Sequence, residues 1–196
     1  MTVLTLAGSP SARSRSSSLL RHVAQALARH GHEISEIGLR DVPAQDLVEG
    51  RYAGPAAAAL RARVSAASVV VVATPIYKAS FAGGLKALLD LLDEKALAGK
   101  IVLPLATGGS PAHLLALEYG LKPVLSALGA RHILAGVYAT DKEVVIGEDG
   151  VPRIADAIHE RLDEAVASVL ALAGSAARRA AANDALGRRE AVAALG

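Results

Sequence analysis

Short apolar runs that alternate with stretches of helical periodicity constrain the fold of this chain most. Residues 2–7 form the first run, which is rich in β-branched side chains and ends in the turn sequence GSP. From Ser16 onward, apolar residues recur on one helical face until Gly31 ends the pattern. Because helices separate consecutive strands, the strands must run parallel, with helices on both faces of the sheet. Further strands are predicted at residues 34–39, 68–73, 101–106 and 132–138, with helices starting near residues 55, 85 and 111.

The helix before the last predicted strand contains two residues that disturb helical hydrogen bonding. It begins near Pro111, carries an apolar stripe to Leu128, and has Gly120 and Pro123 in its interior. Pro123 has no N–H to donate to the carbonyl of Tyr119. We therefore expect a kink or a bulge in the turn that contains Tyr119.

The C-terminal part of the chain divides into a polar segment, a helix and an Ala-rich tail. The glycines and proline of residues 147–152 favour a hairpin or a loop, and the apolar residues of 154–169 are spaced for an amphipathic helix. Residues 174–196 have no comparable stripe, so this tail is helical, disordered or ordered only by a partner subunit. We predict one domain, residues 1–173, followed by the tail.

Composition excludes several kinds of chemistry. The apolar fraction is 52%, with one Phe and no Trp, so the core must consist of aliphatic side chains. There is no cysteine, which rules out a disulfide framework, a thiolate zinc site and a redox dithiol. We predict no metal site, and any electron chemistry has to come from a bound cofactor.

Charge and hydropathy favour a cytoplasmic protein that binds neither nucleic acid nor membrane. The net charge is +2, and the basic excess lies in the Ala/Arg-rich tail rather than in a stripe interleaved with aromatic residues. No apolar run approaches the ~18 residues of a membrane span, and no signal sequence precedes the first strand.

Ligands of a doubly wound sheet bind beyond the carboxyl ends of the strands, where the strand order reverses. The first such segment, residues 8–18, reads GSPSARSRSSS and has neither P-loop spacing nor the GxGxxG spacing of dinucleotide folds. Its hydroxyls, backbone N–H groups and arginines precede a helix, which suits a phosphate dianion. The alternative is an N-capped helix that follows a flexible serine-rich loop.

The segment after the third strand, TPIYKASF, offers a wall for a flat ring. Pro75 and Tyr77 follow the strand directly, where an aromatic ring and a rigid proline line the face or edge of a ligand. In the alternative, Tyr77 and Phe81 fill the core and Lys78 extends into solvent.

The segment after the fourth strand combines two glycines with a helix start. Gly108 and Gly109 let a ligand approach the main chain, while Ser110 and Pro111 suit a helix N-terminus. His113 is a packing, capping or cofactor residue. Together the three segments offer a phosphate site, a ring wall and a polar main-chain edge, which are the needs of FMN.

The chain resembles the NADPH-dependent FMN reductases of two-component alkanesulfonate monooxygenase systems over about residues 1–170. The resemblance lies in GSPxxxSRSSSLL, ATPIYKASFAGGLKALLDLL and KIVLPLATGGSPAHLLALEYGLKPVLSALGA. It implies a flavodoxin-like three-layer α/β sandwich with five parallel strands in the order 2-1-3-4-5. It also implies noncovalent FMN, hydride from NADPH, and transfer of reduced FMN to a partner monooxygenase that desulfonates alkanesulfonates.

The resemblance places FMN contacts in all three segments and in the interrupted helix. The implied contacts are Ser9, Ser14, Arg15, Ser16 and Ser17 at the phosphate, Pro75, Ile76, Tyr77, Lys78 and Ser80 beside the ring, Thr107, Gly108 and Gly109 at its edge, and Tyr119 at a subunit interface near the flavin. The alternative for Tyr119 is an interface residue with no chemical role. Related reductases often carry an arginine where this chain has Ser11, so either Arg13 or Arg15 has to supply that charge.

The reaction implied by this resemblance needs positioning more than side-chain chemistry. Hydride transfer requires two stacked rings, and the cofactors supply the reactive electronics, so we expect no catalytic acid or base. We expect a homodimer or homotetramer that binds FMN loosely. The alternatives are an azo- or quinone-reductase with permanently bound FMN, and an electron-carrier flavodoxin, although such carriers are usually strongly acidic.

Overall fold

A parallel sheet forms the centre of the protein in the computed structural model, which describes residues 1–193. Side chains of the last helix are described to residue 179, apart from 177. The main sheet has the order β2-β1-β3-β5-β6, with β7 also paired to β5 and β4 paired to β3. The strands are β1 (Thr2–Ala7), β2 (Glu33–Gly38), β3 (Val69–Tyr77), β4 (Ser80–Phe81), β5 (Ile101–Gly108), β6 (His132–Ile133), β7 (Val137–Thr140), β8 (Val144–Ile146) and β9 (Pro152–Ile154).

The predicted flavodoxin-like order 2-1-3-4-5 is confirmed, with β6 and β7 sharing the fifth position. The single strand expected over 132–138 is interrupted between them. Gly136 lies in this gap with a φ of +83°, a left-handed conformation that a regular strand does not adopt. A Cβ atom at residue 136 would lie 2.5 Å from the carbonyl oxygen of Pro104, so glycine is required where the chain passes β5.

Helices cover both faces of the sheet. They are α1 (Arg15–Arg29), α2 (Ala44–Val48), α3 (Pro55–Ala66), α4 (Gly83–Leu89), α5 (Leu114–Ala116), α6 (Lys122–Ala127) and α7 (Asp156–Ala193), with 3-10 turns at Leu39–Asp41 and Pro111–His113. Helix α2 lies in a segment that was expected to be a loop. Ile154 belongs to β9 rather than to the last helix, because the polar segment before it forms the β8–β9 hairpin.

Two aliphatic layers hold the three-layer sandwich together. Because successive strand residues point to opposite faces, Leu4 packs with α3, α4 and α6, whereas Val3 packs with α1 and α7. Both residues have no exposed side-chain surface. These two layers are built of aliphatic side chains, as the composition predicts, and Tyr138 is buried in a smaller third cluster.

The expected irregular turn is confirmed as a π-helical turn, Leu117–Leu121, between α5 and α6. A Cβ atom on Gly120 would lie 3.6 Å from the Phe81 ring and 3.8 Å from Ser80 Oγ, so the turn packs against β4. Two causes therefore act on the π turn, the missing N–H of Pro123 and the contact of Gly120 with β4.

The segment that follows the predicted third strand, residues 74–81, forms a β-hairpin. Strand β3 continues to Tyr77 and pairs with β4, and Lys78 and Ala79 form the tip with φ values of 50° and 61°. Thr74 Oγ1 accepts a hydrogen bond from the Ala82 N–H at 3.1 Å, which closes the base of the hairpin.

The last helix continues through much of the predicted tail. Helix α7 has no break at the predicted domain boundary, and residues 194–196 lie outside the described residues. The division into 1–173 and 174–196 stays a prediction. Within the described part of the chain, no helix is long and apolar enough to span a bilayer.

Candidate active site

Loops from four parallel strands enclose a cavity of about 370 Å³ at the carboxyl edge of the sheet. This is the edge at which doubly wound sheets bind their ligands. The cavity is lined by Ser9, Ser11, Arg13, Ser14, Arg15, Pro75, Ile76, Tyr77, Thr107, Gly108, Gly109 and Asp141. The fold thus brings the three predicted segments together at one site.

Most of the predicted contact residues line this cavity, but five of them lie elsewhere. Ser16 is fully buried beneath the loop, and Ser17 lines a neighbouring crevice. Lys78 is at the exposed hairpin tip, Ser80 lies in β4, and Tyr119 is 79% exposed on the π turn. The assignment of all these residues to FMN stays a prediction.

Hydrogen bonds within the first loop fix most of its hydroxyl groups. Ser14 caps α1 by accepting the Ser17 N–H at 3.4 Å, and its Oγ lies 2.9 Å from Ser16 Oγ. Ser9 Oγ accepts the Ser11 N–H at 3.2 Å. Capping and ligand binding are compatible here, because Ser9 and Ser14 also line the cavity.

The two loop arginines have different surroundings. Arg15 donates through Nε to the Val144 carbonyl at 2.9 Å, and its Nη1 lies 3.7 Å from Asp141 Oδ1. Arg13 lies against the turn of the β8–β9 hairpin, where a Cβ atom on Gly150 would be 3.4 Å from its Cζ. Among the described residues no carboxylate forms an ion pair with Arg13.

The wall of the cavity is rigid at its base and open at its tip. Ile76 is 6% exposed and packs with Leu117 and Tyr138, whereas Tyr77 is 52% exposed. Pro75 pairs with Thr107 in the β3–β5 register, which joins the wall directly to the opposite segment. A flat ring would therefore meet a fixed apolar base and a solvent-facing aromatic side chain.

Tyr138 supports the Gly108–Gly109 segment from behind. Its hydroxyl donates to the Ser110 carbonyl at 2.6 Å, and a Cβ atom on Gly108 would lie 2.8 Å from that hydroxyl oxygen. Burial, followed by the nearby charge of Asp141, raises the pKa of Tyr138, so the phenol stays a donor. His113 Nδ1 is buried close by without a hydrogen-bond partner in the described structure.

The sequence reasoning missed the contribution of the turn after β7. Asp141 lines the cavity and donates its N–H to the Gly108 carbonyl at 3.0 Å. Glu143 accepts hydrogen bonds from the Thr140 N–H and hydroxyl, both at 2.7 Å, which hold the pKa of its carboxyl below the usual range. Asp141 directly follows β7, so the rule that ligands bind beyond the carboxyl ends of the strands applies to it as well.

The residues present fit a phosphorylated flat ring. At one end of the cavity lie the Arg13 guanidinium, which has no ion-pair partner among the described residues, serine hydroxyls and the start of α1. Together these groups form a site that suits an anion. At the other end, a Cβ atom on Gly109 would meet only Asp141 Oδ2, at 3.8 Å, so the main chain at Gly109 is accessible to a polar ring edge.

Comparison with known proteins decides the family. The model of the NADPH-dependent FMN reductase family matches residues 1–144. The chain belongs to this family. FMN reductases (NADPH) from Pseudomonas putida KT2440 and Escherichia coli K12 are each 48% identical to it, over 167 and 166 residues. These alignments cover 85% of the chain and 85% and 86% of the two relatives.

A solved structure that is similar to this chain supports the fold. An NADH:FMN oxidoreductase in its apo form superposes with a TM-score of 0.76 and 37% identity, covering 86% of this chain and 87% of that one. The predicted flavodoxin-like fold and the predicted use of FMN and NADPH are therefore confirmed. The protein is an oxidoreductase that acts on NADPH with FMN.

The residues of this NADPH-dependent FMN reductase position the reactants. FMN, when bound, supplies the ring that accepts hydride from the nicotinamide. Ile76 and Pro75 form the fixed base against which a ring would lie, and the hydrogen bond from Tyr138 to the Ser110 carbonyl holds the main chain that would face its edge. Placement of this kind would lower the barrier through orientation.

Proposed function

We propose that this protein reduces FMN and releases it to a partner FMNH2-dependent monooxygenase, as the resemblance to the alkanesulfonate systems implies. The observation that carries the proposal is the open ring-binding half of the cavity. Tyr77 is 52% exposed, and the hairpin tip of Lys78 and Ala79 faces solvent beside it. A flavin held by its phosphate at an open wall can leave without unfolding of the surrounding segments.

The same half of the site carries an exposed apolar surface that suits a second copy of the chain. Tyr119 is 79% exposed, Leu115 58% and Leu114 41%, all on the irregular helix behind the ring wall. Exposed large apolar side chains in one cluster mark association surfaces. We infer a homodimer or homotetramer in which Leu114, Leu115 and Tyr119 lie at the interface.

We infer that Arg13 supplies the phosphate charge that Ser11 cannot provide. Arg15 is already engaged with the Val144 carbonyl and Asp141, whereas Arg13 lines the cavity with no ion-pair partner among the described carboxylates. Ser9 and Ser14 would add hydroxyl donors, and the first turn of α1 would add N–H groups. Arg15 would then hold the loop against the β7–β8 turn.

FMN retention and a coupled assay with a monooxygenase test whether the protein releases reduced FMN. Purified protein with bound FMN is dialysed extensively, and the remaining flavin is measured by absorbance. We expect FMN to be lost. We also expect that, with NADPH and FMN present, the protein supplies the FMNH2 that an added alkanesulfonate monooxygenase needs for turnover. Retention of stoichiometric FMN would instead support an azo- or quinone-reductase type of flavoprotein.

The role of Arg13 is tested with a matched pair of variants. Arg13→Gln should weaken FMN binding by roughly ten- to a hundredfold while leaving riboflavin binding unchanged, because one charge-assisted hydrogen bond contributes about 1.5–3 kcal/mol. Arg29→Gln, on the exposed C-terminal end of α1, is the control. Equal weakening of FMN and riboflavin by Arg13→Gln would contradict a phosphate contact.

A further inference from the structure

A second crevice, of about 440 Å³, lies on the other side of the first loop from the FMN cavity. It is bounded by α1, by the carboxyl half of β2 and by the 3-10 turn that follows β2. Ser9 and Ser11 line both the crevice and the FMN cavity. One elongated ligand can therefore extend across this loop from one cavity into the other.

Two arginines line this crevice without carboxylate partners. Arg21 donates to Ser18 Oγ at 3.3 Å, and Arg40 lies on the 3-10 turn opposite. In the described part of the chain neither guanidinium forms an ion pair. The hydroxyl-bearing residues Ser11 and Ser17 line the same crevice. This set of donors suits a phosphate group.

The turn that carries Arg40 is anchored on both sides. Asp41 Oδ2 accepts the Gly38 N–H at 2.8 Å. Leu39 packs over Gly84, where a Cβ atom would clash with Leu39 Cδ2. Arg40 thus projects from a fixed position between two held residues.

The floor of the crevice suits a flat heterocycle rather than a second phosphate. It consists of small or apolar residues, with Ala7 and Gly38 from the sheet and Leu20 and Ala24 from α1. Glu36 lies on the same face of β2 as Gly38, about 7 Å further along the strand. Its carboxylate can accept hydrogen bonds from a ribose hydroxyl or an exocyclic amine at the end away from Arg40.

We propose that this crevice binds the adenosine 2′-phosphate end of NADPH, with Arg21 and Arg40 holding the 2′-phosphate. In doubly wound dinucleotide-binding sheets, an acidic residue at the end of the second strand binds ribose, and a nearby arginine accommodates the 2′-phosphate. Glu36 lies two residues before the end of β2 and Arg40 two residues after it, which places them similarly, although the first loop lacks the glycine fingerprint. The nicotinamide end would cross Ser9 and Ser11 toward the flavin ring.

The proposal rests on NADPH-dependent FMN reduction. That activity is tested separately, by measuring FMN-dependent NADPH oxidation with the wild-type protein. Arg21→Gln and Arg40→Gln are assayed at saturating FMN with NADPH and with NADH. Each variant should raise the KM for NADPH roughly tenfold and leave the KM for NADH unchanged, since NADH has no 2′-phosphate. Arg29→Gln, on the exposed end of α1, is the control variant.

Direct binding provides a readout that does not depend on turnover. Adenosine 2′,5′-bisphosphate and adenosine 5′-monophosphate are titrated calorimetrically into FMN-free protein. We expect the bisphosphate to bind more tightly, and either arginine substitution to remove that preference. Unchanged preference in both variants, or a parallel rise of the NADPH and NADH KM values, would overturn the proposal.

Discussion

Replacing Gly108 with alanine tests how firmly the segment at the ring edge is fixed. The new Cβ atom would lie 2.8 Å from Tyr138 Oη and 3.1 Å from Ile76 Cβ. Both distances are below the ~3.5–4.0 Å of favourable van der Waals contact, so the segment or Tyr138 must move. Overpacking of this kind costs about 1–3 kcal/mol in the free energy of unfolding. For a chain of this length, each kcal/mol lowers Tm by about 2–4 °C.

Tyr138→Phe distinguishes the contact of the new Cβ atom with Tyr138 Oη from its contact with Ile76 Cβ. It removes the hydroxyl that donates to the Ser110 carbonyl at 2.6 Å, which costs about 1 kcal/mol for one neutral hydrogen bond. In the double variant the alanine methyl gains room where the oxygen was, although Ile76 stays in place. We therefore expect the double variant to lose about 0.5–1 kcal/mol less than the sum of the single variants.

Urea unfolding of the wild type, both single variants and the double variant measures this coupling. Gly109→Ala is the control, since the nearest atom to its new Cβ, Asp141 Oδ2, is 3.8 Å away. Its free energy of unfolding should stay within about 0.5 kcal/mol of the wild type. Strict additivity, or an equal loss in Gly109→Ala, would refute the idea that Tyr138 fixes the segment.

Three further predictions concern other parts of the protein. Because hydrogen bonds to its carboxylate lower the pKa of Glu143, this group stabilises the fold above its unfolded pKa, and that contribution is lost as pH falls through the folded pKa. The difference in unfolding free energy between wild type and Glu143→Gln should therefore be larger at pH 7 than at about pH 3. Gly84→Ala should destabilise the protein by about 1 kcal/mol against Leu39 in thermal unfolding, whereas Gly83→Ala, with no atom within 4 Å, should not. Tyr119→Ala should weaken self-association in analytical ultracentrifugation and change the stability of the monomer by less than about 0.5 kcal/mol.

Sequence reasoning succeeded where a local rule decides the structure. Strands buried on both faces must be apolar almost throughout, which made the β3 and β5 runs recognisable. The π turn at Leu117–Leu121 was predictable because Pro123 has no N–H to complete the helical hydrogen-bond pattern. Neither conclusion required knowledge of a distant contact.

Features that depend on distant contacts were not predictable in this way. The β3–β4 hairpin packs against the π turn around Gly120, which lies far from it in the sequence. The Arg13 side chain lies against Gly150, which the β8–β9 hairpin brings over the first loop. Serine and arginine in that loop were therefore compatible with several arrangements, and only tertiary contacts distinguish the two arginines.

The phosphate half and the ring half of the cavity differ in how firmly contacts within one chain hold their side chains. In the phosphate half, Ser14 and Ser16 are buried and bonded to each other, and Arg15 ties the loop to the β7–β8 turn. In the ring half, Tyr77 is more than half exposed, and so is Tyr119 on the π turn outside the cavity. A ligand bound mainly by its phosphate incurs little ordering cost there, while its ring remains accessible to a second substrate. This division of roles is what a reductase needs if it is to bind, reduce and then release its flavin.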